Sequence, residues 1–179
     1  MSAIFKRRSV RSFLSKPVEP EILDRIIRAG FEAPSAGNRR PWEFMVFTEE
    51  ADRQALAALS PNAKLAVDAA AVIVPLGSLY PGEDIEKNTR SQDIWWVLDL
   101  SAATENILLQ ISEEGLGGVW IGWYPDRERV KGFSEKFGLP PHVIPFAVIA
   151  LGYPAKPLPA GDRYDPSRVH YGAYGKGRE

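Results

Sequence analysis

The chain has 179 residues and a formal net charge of −1, with 45% hydrophobic and 25% charged residues, which is typical of one globular domain. The near-neutral charge argues against nucleic acid or an anionic membrane as partner. Because cysteine is absent, thiol nucleophiles, disulfides and cysteine-ligated zinc are excluded. We also expect no metal site, since His142 and His170 lie far from each other and from carboxylates at ligand spacing.

The N-terminal segment is short and dense in arginine, MSAIFKRRSVRSF (1–13). We consider three interpretations of this segment: a solvated helix turn, sequence-independent nucleic-acid binding and an anion-binding cluster. The basic run is shorter than is usual for a nucleic-acid-binding segment. Spacings of three and four residues would place Arg7 or Arg8 on one helical face with Arg11, close to Ser9. Charge-assisted hydrogen bonds from such a group contribute about 1.5–3 kcal/mol each. No apolar segment follows the basic residues, so we expect no secretory signal and a cytoplasmic location.

Helical and strand patterns alternate through the next part of the chain. In order, the sequence predicts a helix through EILDRIIRA (21–29), a loop at 33–42, a strand at 42–47, a helix at 49–59 and a buried strand at 69–77 that Pro75 ends. Residues 80–93 form a long polar connection, which is typical of a lid or a binding loop.

The stretch at 94–123 is the most apolar of the chain and begins with a predicted helix from Trp95 to about Glu114. Its helical stripe comprises Trp96, Leu100, Ala103, Ile107 and Ile111, widened by Leu98, Ala102 and Leu109. Such a helix is either the centre of a domain or the seam of a dimer. The sequence then predicts a strand at 119–123, a helix after Asp126 that Gly138 ends, a strand at 143–153 and, from 154, a tail that is disordered or laid over a neighbour.

Three common enzyme motifs do not fit. GLGGVWIG (115–122) is not a dinucleotide fingerprint, because Trp120 stands at the third glycine and a helix precedes the glycines. The chain has neither a G-x-S-x-G elbow nor a phosphate-binding G-x-x-x-x-G-K-[ST] loop. These exclusions leave a site that binds an anionic group together with a flat ring. Five tryptophans and six tyrosines are available to line such a site.

Four motifs in order resemble the nitroreductase family of FMN-dependent oxidoreductases: RRSVRSF (7–13), APSAGNRRPW (33–42), DLSAATENILL (99–109) and GLGGVWIGW (115–123). The resemblance implies an α+β fold, a three-layer sandwich with a mixed, mainly antiparallel sheet flanked by helices. It further implies an intertwined homodimer with the long helix at the seam. Residues 1–179 would form a single FMN-binding domain, whose tail at about 154–179 packs on the partner subunit.

The resemblance also assigns roles to residues that match the family motifs. Those residues are Arg7, Ser9 and Arg163 for the FMN phosphate, Arg8 lining the same site, Arg11 at the flavin N1/O2 edge, Pro34, Ser35 and Asn38 from the other subunit, and Ile121 and Gly122 near flavin N5. No catalytic acid or base is implied, because hydride arrives and departs at N5. Arg40 stands where the family often has glutamine, and Asn62 and Lys64 are approximate counterparts of a further ring contact.

The activity implied is transfer of hydride from NADH or NADPH through FMN to a nitroaromatic, quinone or related acceptor by alternate, ping-pong binding. Two alternatives are reductive dehalogenation or flavin fragmentation on the same scaffold, and a non-catalytic flavin-binding or interaction protein. The identity of the acceptor and the choice between NADH and NADPH are open at the level of sequence.

Overall fold

The computed structural model of the protein describes residues 2–79, 94–156, 159 and 161–177. Within these residues one sheet contains five strands: β1 (Trp42–Phe47), β2 (Ala71–Ser78), β3 (Gly117–Gly122), β4 (Val143–Pro145) and β5 (Ala147–Gly152). The order is β1–β2–β5–β3, with β4 paired to β2 beyond the end of β5, and each of these pairings is antiparallel. An isolated parallel bridge joins Ser9 to Gly118, so the sheet is mainly antiparallel, as predicted.

The described chain also contains the helices α1 (Ala3–Lys6), α2 (Pro20–Phe31), α3 (Glu50–Ala57), α4 (Trp95–Glu113) and α5 (Arg127–Phe137), and short 3-10 turns at Ala36–Asn38, Pro61–Ala66 and Pro166–Arg168. The ends of α5 follow local rules. The Asp126 side chain accepts a hydrogen bond from the Arg129 N–H, and Gly138 ends the helix in the left-handed region at φ 68°.

Helices cover both faces of the sheet, which confirms the predicted α+β, three-layer arrangement. One face packs against α2 and α4 through a cluster that includes Ile26, Ile73, Ile107 and Ile149. The other packs against α3, α5 and the 61–66 turn through Leu56, Val72, Phe133 and Val148 among others. Neighbouring residues of β2 divide between the clusters, because successive side chains of a strand point to opposite faces.

The apolar stripe of α4 belongs to the core of its own chain. Each residue of the stripe is 7% exposed or less: Trp96, Leu100, Ala103, Ile107 and Ile111. The small side chain of Ala103 therefore packs in the core of its own chain. On a different side of α4, Leu98 is 48% exposed and follows the spacing of Ala102, Glu105 and Leu109. Among the described residues, this second side of α4 is less covered than the apolar stripe.

Two strand boundaries differ from the sequence prediction. The prediction that Pro75 ends its strand is wrong, since β2 continues to Ser78. Pro75 lies where the partner of β2 changes from β5 to β4, and its carbonyl accepts a hydrogen bond from the Phe146 N–H. Proline has no N–H to donate, but at this position the ladder of hydrogen bonds is already interrupted, so the strand can continue. At the same break the predicted strand at 143–153 divides into β4 and β5, while the predicted connection at 80–93 lies outside the described residues.

Candidate functional site

The arginine-rich segment forms an extended N-terminal arm, residues 7–13, and its predicted helical spacing is wrong. Helix α1 ends at Lys6, Ser9 bridges to Gly118, and the Val10 N–H donates to the Gly118 carbonyl at 3.0 Å. Helical spacing therefore does not decide which side chains of the arm lie together, and the structure places Arg7, Arg8 and Val10 around one cavity beneath it.

The arm is fixed to the sheet at its middle and at its C-terminal end. Val10 is buried against Gly117, where an added Cβ would overlap the Val10 side chain. Further along, the Leu14 N–H donates to the Tyr153 carbonyl at 2.8 Å, and the Ala155 N–H donates to the Ser12 carbonyl at 2.9 Å. These main-chain bonds place the arm along the start of β3 and the end of β5.

The arginines of the arm differ in their partners. Arg7 Nε lies 3.3 Å from Glu105 Oε1 on α4, in an ion pair that the sequence did not indicate. Arg11 is exposed, and its Nη1 is 3.5 Å from the Ser9 carbonyl oxygen. Arg8 donates to carbonyls of the tail, to Pro159 at 3.1 Å and to Gly161 at 2.9 Å. The structure therefore brings the tail to the arm, two residues before Arg163.

In the part of the chain that the structure describes, β3 has a free edge that extends from the arm toward Gly122. N–H and C=O groups of alternate strand residues face the same side, so the N–H of Gly122 faces the edge on which Gly118 binds the arm. A Cβ added at Gly122 would meet no atom of the described residues within 4 Å. Its carbonyl accepts a hydrogen bond from Arg129 Nη1 at 3.1 Å, whereas the Ile121 side chain is buried in the core. Gly118 and Gly122 are separated by about 13 Å of strand.

The loop that follows α2 has its own set of restraints. The Ala36 N–H donates to Oδ1 of the buried Asp99 at 2.9 Å, and Ser35 Oγ accepts from the Arg40 N–H at 3.0 Å. Asn38 Oδ1 accepts from Arg40 Nε at 2.9 Å, and both residues have positive φ, 54° and 53°. Such conformations persist only where surrounding contacts hold them. The role of Asp99 as the anchor of this loop was not predicted, although a carboxylate among the apolar residues of the first turns of α4 was the available signal.

Within one chain the loop and the arm attach to different parts of α4. The loop is held at Asp99 and the arm at Glu105, six residues apart. This spacing corresponds to about 9 Å along the helix and about 120° around it. A single chain therefore does not direct Pro34, Ser35 and Asn38 toward the arm. A cavity of about 130 Å³ lies under the arm. It is smaller than the roughly 300 Å³ of common ligand pockets, so a single chain does not form a complete ligand site there.

The remaining candidates lie elsewhere on the molecule. Asn62 and Lys64 are exposed on the 61–66 turn, and Trp95 is 48% exposed at the start of α4. Trp96 is a core residue, with its ring centre 4.8 Å from that of Tyr124. Among the described ranges no cluster of three or more His, Cys, Asp or Glu side chains could hold a metal ion. No helix in the same ranges is long and apolar enough to cross a membrane.

Comparison with known proteins gives concordant matches. The Nitroreductase family profile matches residues 4–80 and 61–153. A protein of Methanothermobacter thermautotrophicus, provisionally named NADH dehydrogenase/NAD(P)H nitroreductase, is 39% identical over 170 residues, which is 95% of this chain and 85% of that relative. A crystal structure from Bacteroides thetaiotaomicron under the same provisional name shares 38% identity and a TM-score of 0.85, covering 96% of both chains. An FMN-dependent nitroreductase from Clostridium difficile R20291 shares 28% identity and a TM-score of 0.84, over 97% of this chain and 99% of that one.

Proposed function

The chain belongs to the nitroreductase family, and on that basis we propose that it is an FMN-dependent oxidoreductase that uses NADH or NADPH as reductant. One observation carries the proposal. A single edge of β3 has cationic groups of the arm at one end and, at the other, a residue without a side chain whose N–H faces outward. The two ends suit a molecule that joins a phosphate to a flat ring through a short chain.

The residues along this edge fit FMN by charge and by space. Arg7, Ser9 and Arg163 would hold the phosphate, because guanidinium groups and a hydroxyl match its oxygens. Gly122 leaves the ring room to approach the strand, since its missing Cβ would occupy open space. Ile121 and Gly122 would thereby present main chain to the N5 side of the ring.

When bound, FMN supplies the centre that accepts hydride from the nicotinamide and gives it to the acceptor. The chain contributes binding, orientation and charge. Arg11 would place a fixed positive charge at the N1/O2 edge, where negative charge develops on reduction, without reorganisation of the protein. No side-chain acid or base is required, which agrees with the absence of a recognisable catalytic motif in the sequence.

The reductant and the acceptor would bind in turn to the same face of the ring, in a ping-pong sequence, and the acceptor would be a nitroaromatic, a quinone or a related small molecule. We expect the site to be completed in a cytoplasmic homodimer. Pro34, Ser35 and Asn38 would then come from the other subunit, because one chain holds this loop and the arm on different sides of α4. The exposed side of α4 around Leu98 would form the seam, and the tail beyond its contacts with Arg8 of its own chain would pack on the partner.

The purified protein tests the proposal directly. It should be yellow, release FMN on heat denaturation, and lose its flavin absorbance when NADH or NADPH is added without oxygen. Addition of a quinone or a nitroaromatic compound should then restore the colour. A protein that is colourless, and stays so after incubation with FMN, would overturn the assignment.

A further inference from the structure

The guanidinium group of Arg8 donates four hydrogen bonds, all of them to main-chain carbonyls. Nε donates to Pro159 at 3.1 Å, Nη2 to Gly161 at 2.9 Å, and Nη1 to Phe5 at 3.1 Å and to Arg7 at 2.6 Å. A guanidinium group has five N–H donors in a fixed planar arrangement. Four of the five are therefore engaged, two of them by the tail.

This arrangement is unsuited to direct phosphate binding. A phosphate normally meets an arginine through two parallel N–H groups, but Arg8 has one N–H left. Its side chain is directed to the tail, whereas Arg7 pairs with Glu105 and Arg11 lies near the Ser9 carbonyl. The fork shape of the guanidinium instead matches the two tail carbonyls, which a single ammonium group could not span in the same way.

Docking of the tail determines where Arg163 can reach. Gly161 is held at Arg8, and Arg163 follows two residues later, within about 7.6 Å of chain between Cα atoms. An added Cβ at Gly161 would lie 3.2 Å from Arg8 Nη2, so the tail backbone runs close against the guanidinium. The tail is otherwise exposed from Gly161 to Arg168, and Arg8 is thus a principal restraint on this part of it.

We propose that Arg8 is a positioning residue that clamps the tail and so places Arg163 beside Arg7 and Ser9 to bind the FMN phosphate. The inference rests on the proposed function, because it assigns a way of building the phosphate subsite of the same flavin site. Arg8 itself does not bind the phosphate in this arrangement.

Affinities for FMN and for riboflavin, which lacks the phosphate, test the clamp. Arg8→Ala and Arg163→Ala should each raise the Kd for FMN about ten- to a hundredfold, the loss expected for a charge-assisted hydrogen bond. Riboflavin should bind all variants within about twofold of wild type, whereas general damage to the fold would weaken both ligands. Arg28→Ala, an exposed arginine on α2, is the matched control and should change neither affinity.

A double-mutant cycle separates indirect from direct action. If Arg8 acts through Arg163, the Arg8→Ala/Arg163→Ala protein should bind FMN no more weakly than Arg163→Ala alone. Arg8→Lys retains the charge but not the fork, and should behave like Arg8→Ala. In the FMN-free protein, Arg8→Ala should also speed tryptic cleavage in the tail after Arg163 and Arg168, with an unchanged thermal midpoint.

Each contrary result has a distinct meaning. Additive losses in the cycle, or full rescue by Arg8→Lys, would show a direct charge contact and overturn the clamp. Equal loss of FMN and riboflavin binding, or no loss of either, would overturn it as well. A wild-type protein that binds neither ligand would overturn the proposed function and this inference together, whereas a binding wild type with additive variants would overturn this inference alone.

Discussion

The contact between Gly117 and Val10 offers a sharp test of how the arm is held. An added Cβ at Gly117 would overlap three carbon atoms of the buried Val10 side chain, all nearer than real Cβ contacts allow. In the Gly117→Ala protein, either the core must shift or the arm must leave β3. The second outcome would also move Arg7, Ser9 and Arg11 away from the free edge of the strand.

The size of the effect follows from what the arm would lose. Exposing a buried valine costs about 2 kcal/mol, and losing the Val10 N–H bond to the Gly118 carbonyl costs about 1 kcal/mol. Retaining the arm in an overpacked site costs about 1–3 kcal/mol. Because the cheaper outcome sets the loss, we expect Gly117→Ala to lower the free energy of unfolding by about 1–3 kcal/mol, and to weaken FMN binding more than tenfold.

Urea unfolding at one protein concentration and FMN titration measure the two effects. Gly132→Ala is the control, since its new Cβ would lie 3.7 Å from Leu59 and occupies a helix interior, where alanine is favoured over glycine. Val10→Ala in the Gly117→Ala background removes both overlapping γ carbons, and should recover part of the stability and of the FMN affinity. Additive losses in this pair, or a Gly117→Ala protein as stable as wild type, would refute the contact as described.

Arg11→Ala should keep the fold but lower the reduction potential of the bound flavin, because a positive charge at the N1/O2 edge is lost; an unchanged potential in anaerobic titration would remove Arg11 from that place. Leu98→Arg should convert the proposed dimer to a monomer that loses FMN, as followed by analytical ultracentrifugation, and a flavin-loaded monomer would contradict the shared site. The hydrogen bond from Arg25 lowers the pKa of Glu114, so its stabilisation is present above the ordinary glutamate pKa and lost as pH falls through the lowered value. Arg25→Ala should therefore flatten the acid dependence of the unfolding free energy, and superimposable pH profiles would argue against the pair.

Local signals predicted the elements whose ends depend on neighbouring residues. The strand at 42–47 and the helix that Asp126 caps and Gly138 ends were predicted with bounds close to those observed, because capping and side-chain periodicity act over a few residues. The long helix from Trp95 was predicted for the same reason, and its stripe was recognised as core or seam.

Features that depend on distant partners could not be predicted in this way. The arm was expected to be helical because its arginines have helical spacing, but Ser9 pairs with Gly118, more than a hundred residues away. Pro75 was expected to end a strand, yet the change of partner at that position makes its missing N–H harmless. The sequence also could not decide whether the stripe of α4 around Ala103 is buried within one chain or between two, because both arrangements need the same apolar spacing.

The free edge of β3 carries a consequence for how the protein behaves before its cofactor arrives. In the described residues, strand pairing on this side of β3 is limited to the bridge at Gly118, so the N–H groups of Trp120 and Gly122 have no strand partner there, although Arg129 Nη1 binds the Gly122 carbonyl. Unpaired strand edges are templates for self-association. Flavin supply would then govern solubility as well as colour, and preparations made under riboflavin shortage should be the ones that precipitate.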